Sequence, residues 1–327
     1  QADDGDGELD VIFDPRAATT SAEAVIDPSR VRGRSAAGHV RVGASPEGSA
    51  RALRVAVSRA VAELVLAGRD HTAPTWWREP TSLWIAARVA DAAPELADAV
   101  ASRFDLPETG VVTPDRSLAA GNLALITALD DEELEASLVA TSWKRLAERA
   151  WTGDPVAARD AVAGASLDVT GLSLDGLLLR AALVRVASGP IPNRVGLDLA
   201  SLPVNGRDLD LPVAPLGAAL VRIRPDATRP DATRLDVDVP DGAWTLEMLV
   251  EREQGWERLR LARDADGRVE ILVPWSDYRQ AVMIALRHGS AAGSSRIALS
   301  ARAADALDPY ALSAFGGRRT PSGTVEI

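Results

Sequence analysis

The sequence predicts an α+β protein of two domains, a mainly helical domain followed by an antiparallel β-sandwich. Helical spacing of apolar residues dominates the chain up to about residue 190, whereas short alternating segments separated by turn residues dominate from about residue 204. A stretch rich in Gly, Pro and Asn at 189–193 lies between the two patterns. We therefore place the domains at residues 1–190 and 191–327, each long enough to bury its own core.

The first domain is predicted to begin with short strands at residues 8–13 and 38–43, with an irregular stretch at 14–36 between them. A long helix follows, which begins at 46–49 and runs to about residue 67, and its apolar residues keep the i, i+3, i+4, i+7 spacing of a buried face. Further helices are predicted at 81–92, 94–104, 116–129, about 131–151, a short stretch from 155, and 173–187.

The second domain shows the pattern of a sandwich of immunoglobulin- or fibronectin-III-like type. Asp241-Gly242 and Asp266-Gly267 are hairpin signals between alternating segments. The predicted strands cover 217–224, 234–239, 244–252, 257–263, 268–274, 280–288 and 295–301.

Composition excludes several classes of partner and site. The formal net charge of -11 makes a nucleic acid or an anionic membrane surface a poor partner. No apolar run reaches the length of a membrane span. The absence of cysteine excludes disulfides, thiolate metal sites, a cysteine nucleophile and a lipid-anchored cysteine.

The basic residues and the first residues of the chain indicate an origin. Lys144 is the single lysine among 36 basic residues, a bias typical of a GC-rich bacterial genome. The acidic start at Gln1, rich in small residues, looks like a mature N-terminus left by signal-peptide cleavage, although a chain cut there for expression would look the same. We expect an exported bacterial protein that is secreted, periplasmic or at the cell surface.

The segment from Arg54 to Ile85 carries the most specific signal. An apolar helix and a short loop precede WWREPTSLW at 76–84, which contains Glu79. A tryptophan follows in a later helix at Trp143, then GLSLDGLL at 171–178 and PVAPLGAALVRI at 212–223. The order of these segments, which extends over most of the chain, resembles that in secreted bacterial zinc metallopeptidases of the gluzincin kind that carry a trailing β-sandwich.

The resemblance implies a zinc site whose ligands are missing here. Such peptidases carry HExxH on the helix, and a downstream glutamate is the third zinc ligand. On that register Ser58 stands for the first His, Arg59 for the Glu and Ala62 for the second His, while Glu79 remains. The resemblance therefore implies a pseudopeptidase with no catalytic residue, no metal and no cofactor. We expect Arg59 to form an ion pair with Glu79 in place of the metal.

The histidines support the loss of the motif without any family assumption. The chain contains only His39, His71 and His288, and no two of them lie within one helical turn. A metal site of His39, His71 and Glu79 assembled by folding stays open as an alternative.

The expected function is binding or scaffolding of a protein or peptide partner, for example within a cell-surface assembly. The vestigial groove would involve Ser58, Arg59, Ala62, Trp76, Trp77, Glu79 and Trp84. The tryptophans fit either core packing or an aromatic wall for a peptide or glycan.

Two alternatives to a binding protein stay open. One is a hydrolase with a non-standard metal or catalytic site, such as a glycosidase pair of Asp70 and Glu79. The other is a structural subunit of a surface assembly. The acidic residues at 3–8 could also hold calcium, although their spacing does not match an EF-hand loop. The motifs G-x-S-x-G, the P-loop and G-x-G-x-x-G are all absent from the sequence.

Overall fold

A computed structural model gives the fold, and it describes most of the chain. The described residues are 9–14, 21–43, 49–90, 97–100, 103–104, 109–149, 155–188, 196–198, 207–224, 231–240, 244–261, 268–289, 293, 295–304, 318–319 and 325–326. They combine helices with antiparallel sheets, which confirms the prediction of a mixed chain of helices and strands. Among these residues, no helix is long and apolar enough to cross a membrane.

The chain divides into two compact units. The first comprises Gln1–Arg103 and Val111–Leu177, and the second comprises Phe104–Gly110 and Leu178–Ile327. The predicted boundary at 189–193 lies outside the described residues.

The first unit begins with a three-stranded sheet. Its strands are β1 (Val11–Asp14), β2 (Ser21–Arg32) and β3 (Ser35–Gly43), in the order β1-β3-β2. β1 runs parallel to β3, and β2 pairs with β3 in the antiparallel sense. Both β1 and β2 are therefore edge strands of this sheet.

Strand β2 corrects the expectation of an irregular stretch at 14–36. It was missed because Pro28 and several charged residues interrupt the apolar alternation, and β2 has a bulge between Ile26 and Val31. An edge strand tolerates both features, since one side of it needs no partner. Gly38 of β3 fits this pairing, because a Cβ there would collide with the carbonyl oxygen of Val25.

A long helix covers one face of β2 and β3. Helix α1 (Ala50–Asp70) begins where the Ser49 hydroxyl accepts a hydrogen bond from the amide of Ala52. Ala60 and Leu64 of α1 pack on Val40 and Val42 of β3. The buried face of α1 thus faces the sheet, as the apolar spacing predicted.

Helix α2 (Thr75–Ala90) begins earlier than predicted and includes the Trp-rich segment. Pro80 lies inside it and has no amide hydrogen to donate to the carbonyl of Trp76. The side chain of Asn122 donates to that carbonyl instead, at 2.8 Å, and also to the carbonyl of Val111, at 2.9 Å. A residue far away in sequence therefore allows the helix to run through the proline.

The remaining helices of this chain differ in length from the prediction. The predicted helix at 116–129 is two short helices that meet around Gly121, and the stretch from 155 is a full helix rather than a short one. The described helices after α2 are α3 (Arg116–Ala120), α4 (Leu123–Thr127), α5 (Glu132–Glu148), α6 (Pro155–Thr170) and α7 (Leu174–Ser188). Of the predicted helix at 94–104, residues 97–100 are described as helix and residues 103–104 as a turn.

Polar contacts join the C-terminal end of α5 to Arg34, which lies between β2 and β3, and to the end of α1. Arg34 donates to the carbonyl oxygens of Leu146 and Ala147, at 2.8 and 2.6 Å, which satisfies groups left open at the helix end. Arg149 forms an ion pair with the fully buried Asp70 at 2.5 Å. The ion pair with Arg149 thus joins the last residue of α1 to the end of α5.

The second unit contains two sheets that share one core. One has the strand order β10-β7-β12-β5 and the other the order β4-β6-β11-β8-β9. The strands are β4 (Gly196–Asp198), β5 (Arg207–Val213), β6 (Gly217–Arg224), β7 (Ala232–Asp238), β8 (Trp244–Arg252), β9 (Gly255–Arg260), β10 (Arg268–Pro274), β11 (Gln280–Arg287) and β12 (Ser295–Ala304). Inward side chains of both sheets form the core, among them Val221, Val237, Met283 and Leu299.

All seven predicted strands of this unit have a counterpart within a few residues. β5 was not predicted. β4 pairs with β6 in the parallel sense, and the other strand pairs of the two sheets are antiparallel. Near the end of the chain, β13 (Arg318–Arg319) pairs with β14 (Val325–Glu326).

Candidate functional site

A cluster of three arginines and two glutamates lies where α1, α2 and the start of α3 meet. Arg59 and Glu63 are four residues apart on α1 and therefore share one face of the helix. Arg78 and Glu79 belong to α2, and Arg116 is the first residue of α3. The packing of α2 against α1 and α3 brings these residues together.

Glu79 is the centre of the cluster. Its side chain is only 1% exposed, and its Oε1 forms an ion pair with Nη2 of Arg59. Its Oε2 accepts from Nε of Arg116 at 3.1 Å. Both carboxylate oxygens are thus bound by guanidinium groups, which is the way a buried charge is tolerated.

Glu63 extends the cluster toward the surface. Its two oxygens accept from Nη2 of Arg116 at 2.6 and 2.5 Å. Nε of Arg78 lies 3.8 Å from Oε1 of Glu63. Arg116 therefore bridges the two glutamates, and the cluster joins three helices through charge-assisted contacts.

The cations of the cluster perturb one another. Burial, and to a smaller extent the charge of Arg116, holds the pKa of Arg59 below its usual value, against the opposing effect of Glu63. Burial likewise lowers the pKa of Arg78, with Glu63 opposing and Arg116 adding to the effect. Guanidinium pKa values begin so high that both groups stay charged at neutral pH. The cluster thus carries one more positive than negative charge.

A solvent-open cavity of about 350 Å³ borders the cluster. Helix α1 supplies one wall, and the edge strand β2 and helix α3 supply the others. The lining residues are Ala22, Glu23, Arg59, Ala60, Glu63, Arg116, Ser117 and Ala120. The volume lies in the range of small-molecule sites.

The ion pair between Arg59 and Glu79 expected from the sequence is confirmed. The neighbouring positions differ from the expected register. Ser58 is half-buried and Ala62 is buried, and neither lines the cavity. The face of α1 that meets this cluster is formed by Arg59 and Glu63, one residue later than the register on which Ser58 and Ala62 were chosen.

The tryptophans lie away from the cavity. Trp76 and Trp77 are 2% and 0% exposed and pack edge to face, with ring centroids 6.0 Å apart, so they contribute to the core. Trp84 is half-buried; its Nε1 donates to Glu135 at 2.8 Å, and Arg88 lies over its ring at 4.4 Å. None of the three lines the cavity beside the cluster.

The structure does not bring together the alternative metal ligands. Within the described part of the chain, no group of three or more His, Asp or Glu residues is arranged to hold a metal ion. His71 follows α1, and its Nδ1 lies 2.8 Å from the carbonyl oxygen of Arg34. Asp70 is bound to Arg149 and to the hydroxyl of Thr72 rather than paired with Glu79. The acidic residues at 3–8 lie outside the described residues.

Sequence reasoning missed Glu63, Arg116 and Ser117. Glu63 could have been found, because it lies four residues after Arg59 on a helix that was predicted. Arg116 had no local signal, since only the packing of α3 brings it to Glu79, which lies 37 residues earlier.

The chain was also compared with known proteins. Neither the comparison with protein-family models nor the comparison with curated proteins found a match. Function is therefore inferred from the site itself.

Proposed function

We propose that this chain is a catalytically inactive, peptidase-like exported bacterial protein that binds or scaffolds a protein or peptide partner. One observation carries the proposal. Glu79, the residue that the resemblance assigns to a zinc ligand, is buried and bound on both oxygens by Arg59 and Arg116. A carboxylate neutralised by two fixed cations is a poor metal ligand, because a divalent ion would have to displace both of them.

The face of α1 that meets the cluster supports the same proposal. If the zinc helix register is moved by one residue, Arg59 and Glu63 take the positions of the two histidines and Ala60 takes that of the catalytic glutamate. Alanine cannot act as a general base, and arginine keeps its proton at neutral pH. On either register the chemistry of a zinc peptidase is lost.

Binding is supported by the cavity beside the cluster. It is open, it adjoins an edge strand, and its two arginines are partly exposed, at 36% and 49% of their side chains. The second unit, an Ig- or fibronectin-III-like sandwich in this proposal, would act as a docking module, which is an argument by analogy with other sandwiches.

Elemental analysis and a protease assay test the loss of chemistry. We expect the purified chain to carry far less than one zinc per molecule and to leave casein uncleaved, with or without added zinc. Zinc at one ion per chain, or casein cleavage that a chelator abolishes, would overturn the proposal.

A second experiment tests the peptidase-like geometry. The triple variant R59H/E63H/R116Q supplies two imidazoles four residues apart and frees Glu79 from both arginines. We expect it to bind one zinc ion per chain, whereas the matched variant S58H/A62H binds none because those positions do not line the cavity. Equal zinc binding by both variants, or none by the triple variant, would contradict the shifted register.

A further inference from the structure

The cavity beside α1 has unused hydrogen-bond donors that point to a particular ligand. Among the described residues, Arg116 uses Nε and Nη2 for Glu79 and Glu63, and Nη1 has no acceptor. Arg59 contacts Glu79 through Nη2 only. Two partly exposed guanidinium groups therefore line one cavity with N–H groups to spare.

We propose that this cavity binds the C-terminal carboxylate of a peptide between Arg59 and Arg116. The proposal rests on the proposed binding function and names the chemical group that is recognised. Planar guanidinium groups match a carboxylate in shape and charge, and such contacts are among the strongest hydrogen bonds in proteins.

The charges in the wall of the cavity disfavour a polyanion. Arg59 and Arg116 line the cavity together with the carboxylates Glu23 and Glu63. A ligand is therefore attracted by the free N–H groups of the two arginines rather than by a surplus of positive charge. Glu23 is exposed on the strand that forms another wall of the cavity. Its carboxylate repels a polyanion, yet it can accept hydrogen bonds from amide N–H groups. A peptide end, which carries one carboxylate next to backbone amides, meets both conditions.

The remaining wall fits small side chains near the carboxylate. Ala22, Ala60 and Ala120 line the cavity together with Ser117. Ser117 donates its hydroxyl to Asp115 at 2.7 Å and is committed to the start of α3. Specificity therefore lies with the two arginines, and the alanines provide room for the last residues of the chain.

Titration of the full chain with three probes tests the proposal. The probes are N-acetyl-trialanine with a free carboxylate, its C-terminal amide, and an amidated peptide of the same length with one glutamate. Calorimetry gives the affinities, and NMR follows the arginine Nε–H signals. We expect the free carboxylate to bind at least about 10-fold more tightly than the trialanine amide, since charged hydrogen bonds are lost with the amide. Equal affinities of these two peptides would overturn the proposal, as would no detectable binding of any probe.

The glutamate probe separates the two sources of a carboxylate. Binding to the amidated glutamate peptide as tight as to the free chain end would overturn the choice of a C-terminus, and an acidic side chain would then be the ligand. Weak binding of that probe, comparable to the trialanine amide, is the expected result.

Two variants and a control place the binding in this cavity. Arg116→Gln removes one donor pair, and we expect at least about 10-fold weaker binding of the free carboxylate. Ala120→Leu fills the cavity without changing any charge and is expected to abolish binding even if Arg116→Gln also disturbs the fold. Arg296→Gln, a substitution in an exposed ion pair of the second unit, should leave binding unchanged. Unchanged binding in both cavity variants would overturn the proposal.

The outcome is distinguishable from failure of the proposed function. If the chain contains no zinc, is inactive and binds none of the three peptides, only the proposed binding of a C-terminal carboxylate is refuted. A zinc-loaded, active chain refutes the proposed function whatever the peptides do.

Discussion

The buried Glu79 gives the sharpest test of how the cluster is held together. Its side chain is 1% exposed and is bound by Arg59 and Arg116 at its two oxygens. Glu79→Gln keeps the shape but removes the charge, which leaves the guanidinium groups with Glu63 as their only anion in the cluster. Removal of one partner of a buried ion pair typically costs about 3–5 kcal/mol of unfolding free energy when the remaining charge is buried. Both arginines left behind here are partly exposed, so we expect a loss of about 2–3 kcal/mol. For a unit of this size that corresponds to a fall in Tm of about 4–12 °C.

Arg59→Met should cost less, because Glu79 keeps Arg116 and because the Arg59 side chain is 36% exposed. We expect a loss of about 1–2 kcal/mol, reduced by solvent screening. The double variant should lose less than the sum of the two, with a coupling energy of about 1–2 kcal/mol. This coupling measures the ion pair itself rather than either substitution alone.

Urea unfolding followed by tryptophan fluorescence and by circular dichroism provides the free energies, and the two units are analysed as separate transitions. The matched control is the exposed pair Arg296 and Asp210, with side chains 58% and 56% exposed, for which the coupling should stay below about 1 kcal/mol. The reasoning would be refuted if the unfolding free energy of Glu79→Gln lay within about 1 kcal/mol of the wild-type value, or if the coupling energy between Arg59 and Glu79 were near zero.

Three further outcomes follow from other parts of the molecule. Asn122→Ala should lower the free energy of urea unfolding by about 2–4 kcal/mol, because the carbonyls of Trp76 and Val111 lose their buried donor. A loss of unfolding free energy under about 0.5 kcal/mol would contradict that role. Hydrogen bonds from Ser117 and Leu118 hold the pKa of Asp115 below its usual value. Its stabilising effect is therefore present above the pKa of the unfolded chain and is lost as the pH falls through the lower pKa of the folded state. Asp115→Asn should flatten the acid limb of the stability curve, and an unchanged limb would count against this role. Ile12 is 49% exposed on the edge strand β1. Ile12→Lys should therefore change the free energy of urea unfolding by less than about 0.5 kcal/mol, and a loss above about 1 kcal/mol would show that its side chain is buried in the fold.

The strands of the second unit were predictable because alternation with a buried face is a local signal. Residues such as Leu235 and Val237 alternate with polar neighbours along their strand, and both belong to the observed core. Helix α1 was predictable because its apolar spacing is equally local. The start of α2 was not, because Pro80 signals a break and the compensating Asn122 lies 46 residues from Trp76. The sequence around Pro80 does not indicate such a long-range donor.

The site was predictable to the same limited degree. The contact between Arg59 and Glu79 was expected from the register that the resemblance implies, in which Arg59 stands for the glutamate of HExxH, and it is formed. The sequence alone could not decide whether Ser58 and Ala62 or Arg59 and Glu63 form the face of α1 that meets the cluster. Consecutive helical residues differ by about 100° in direction, and both Ser58 and Arg59 border the apolar stripe. Arg116 required the tertiary packing of α3.

The form of the cluster also bears on whether the site is a structural remnant or a binding site. A buried ion pair is seldom more stabilising than apolar residues of the same volume. If the site were retained only to join α1 to α2, apolar side chains would do so and would fill the space. Instead, Arg59 and Arg116 stay partly exposed beside an open cavity of about 350 Å³, whose other lining residues are two glutamates and four small residues. Exposed guanidinium groups next to empty space serve recognition better than cohesion, and this contrast favours a bound ligand over a purely structural role.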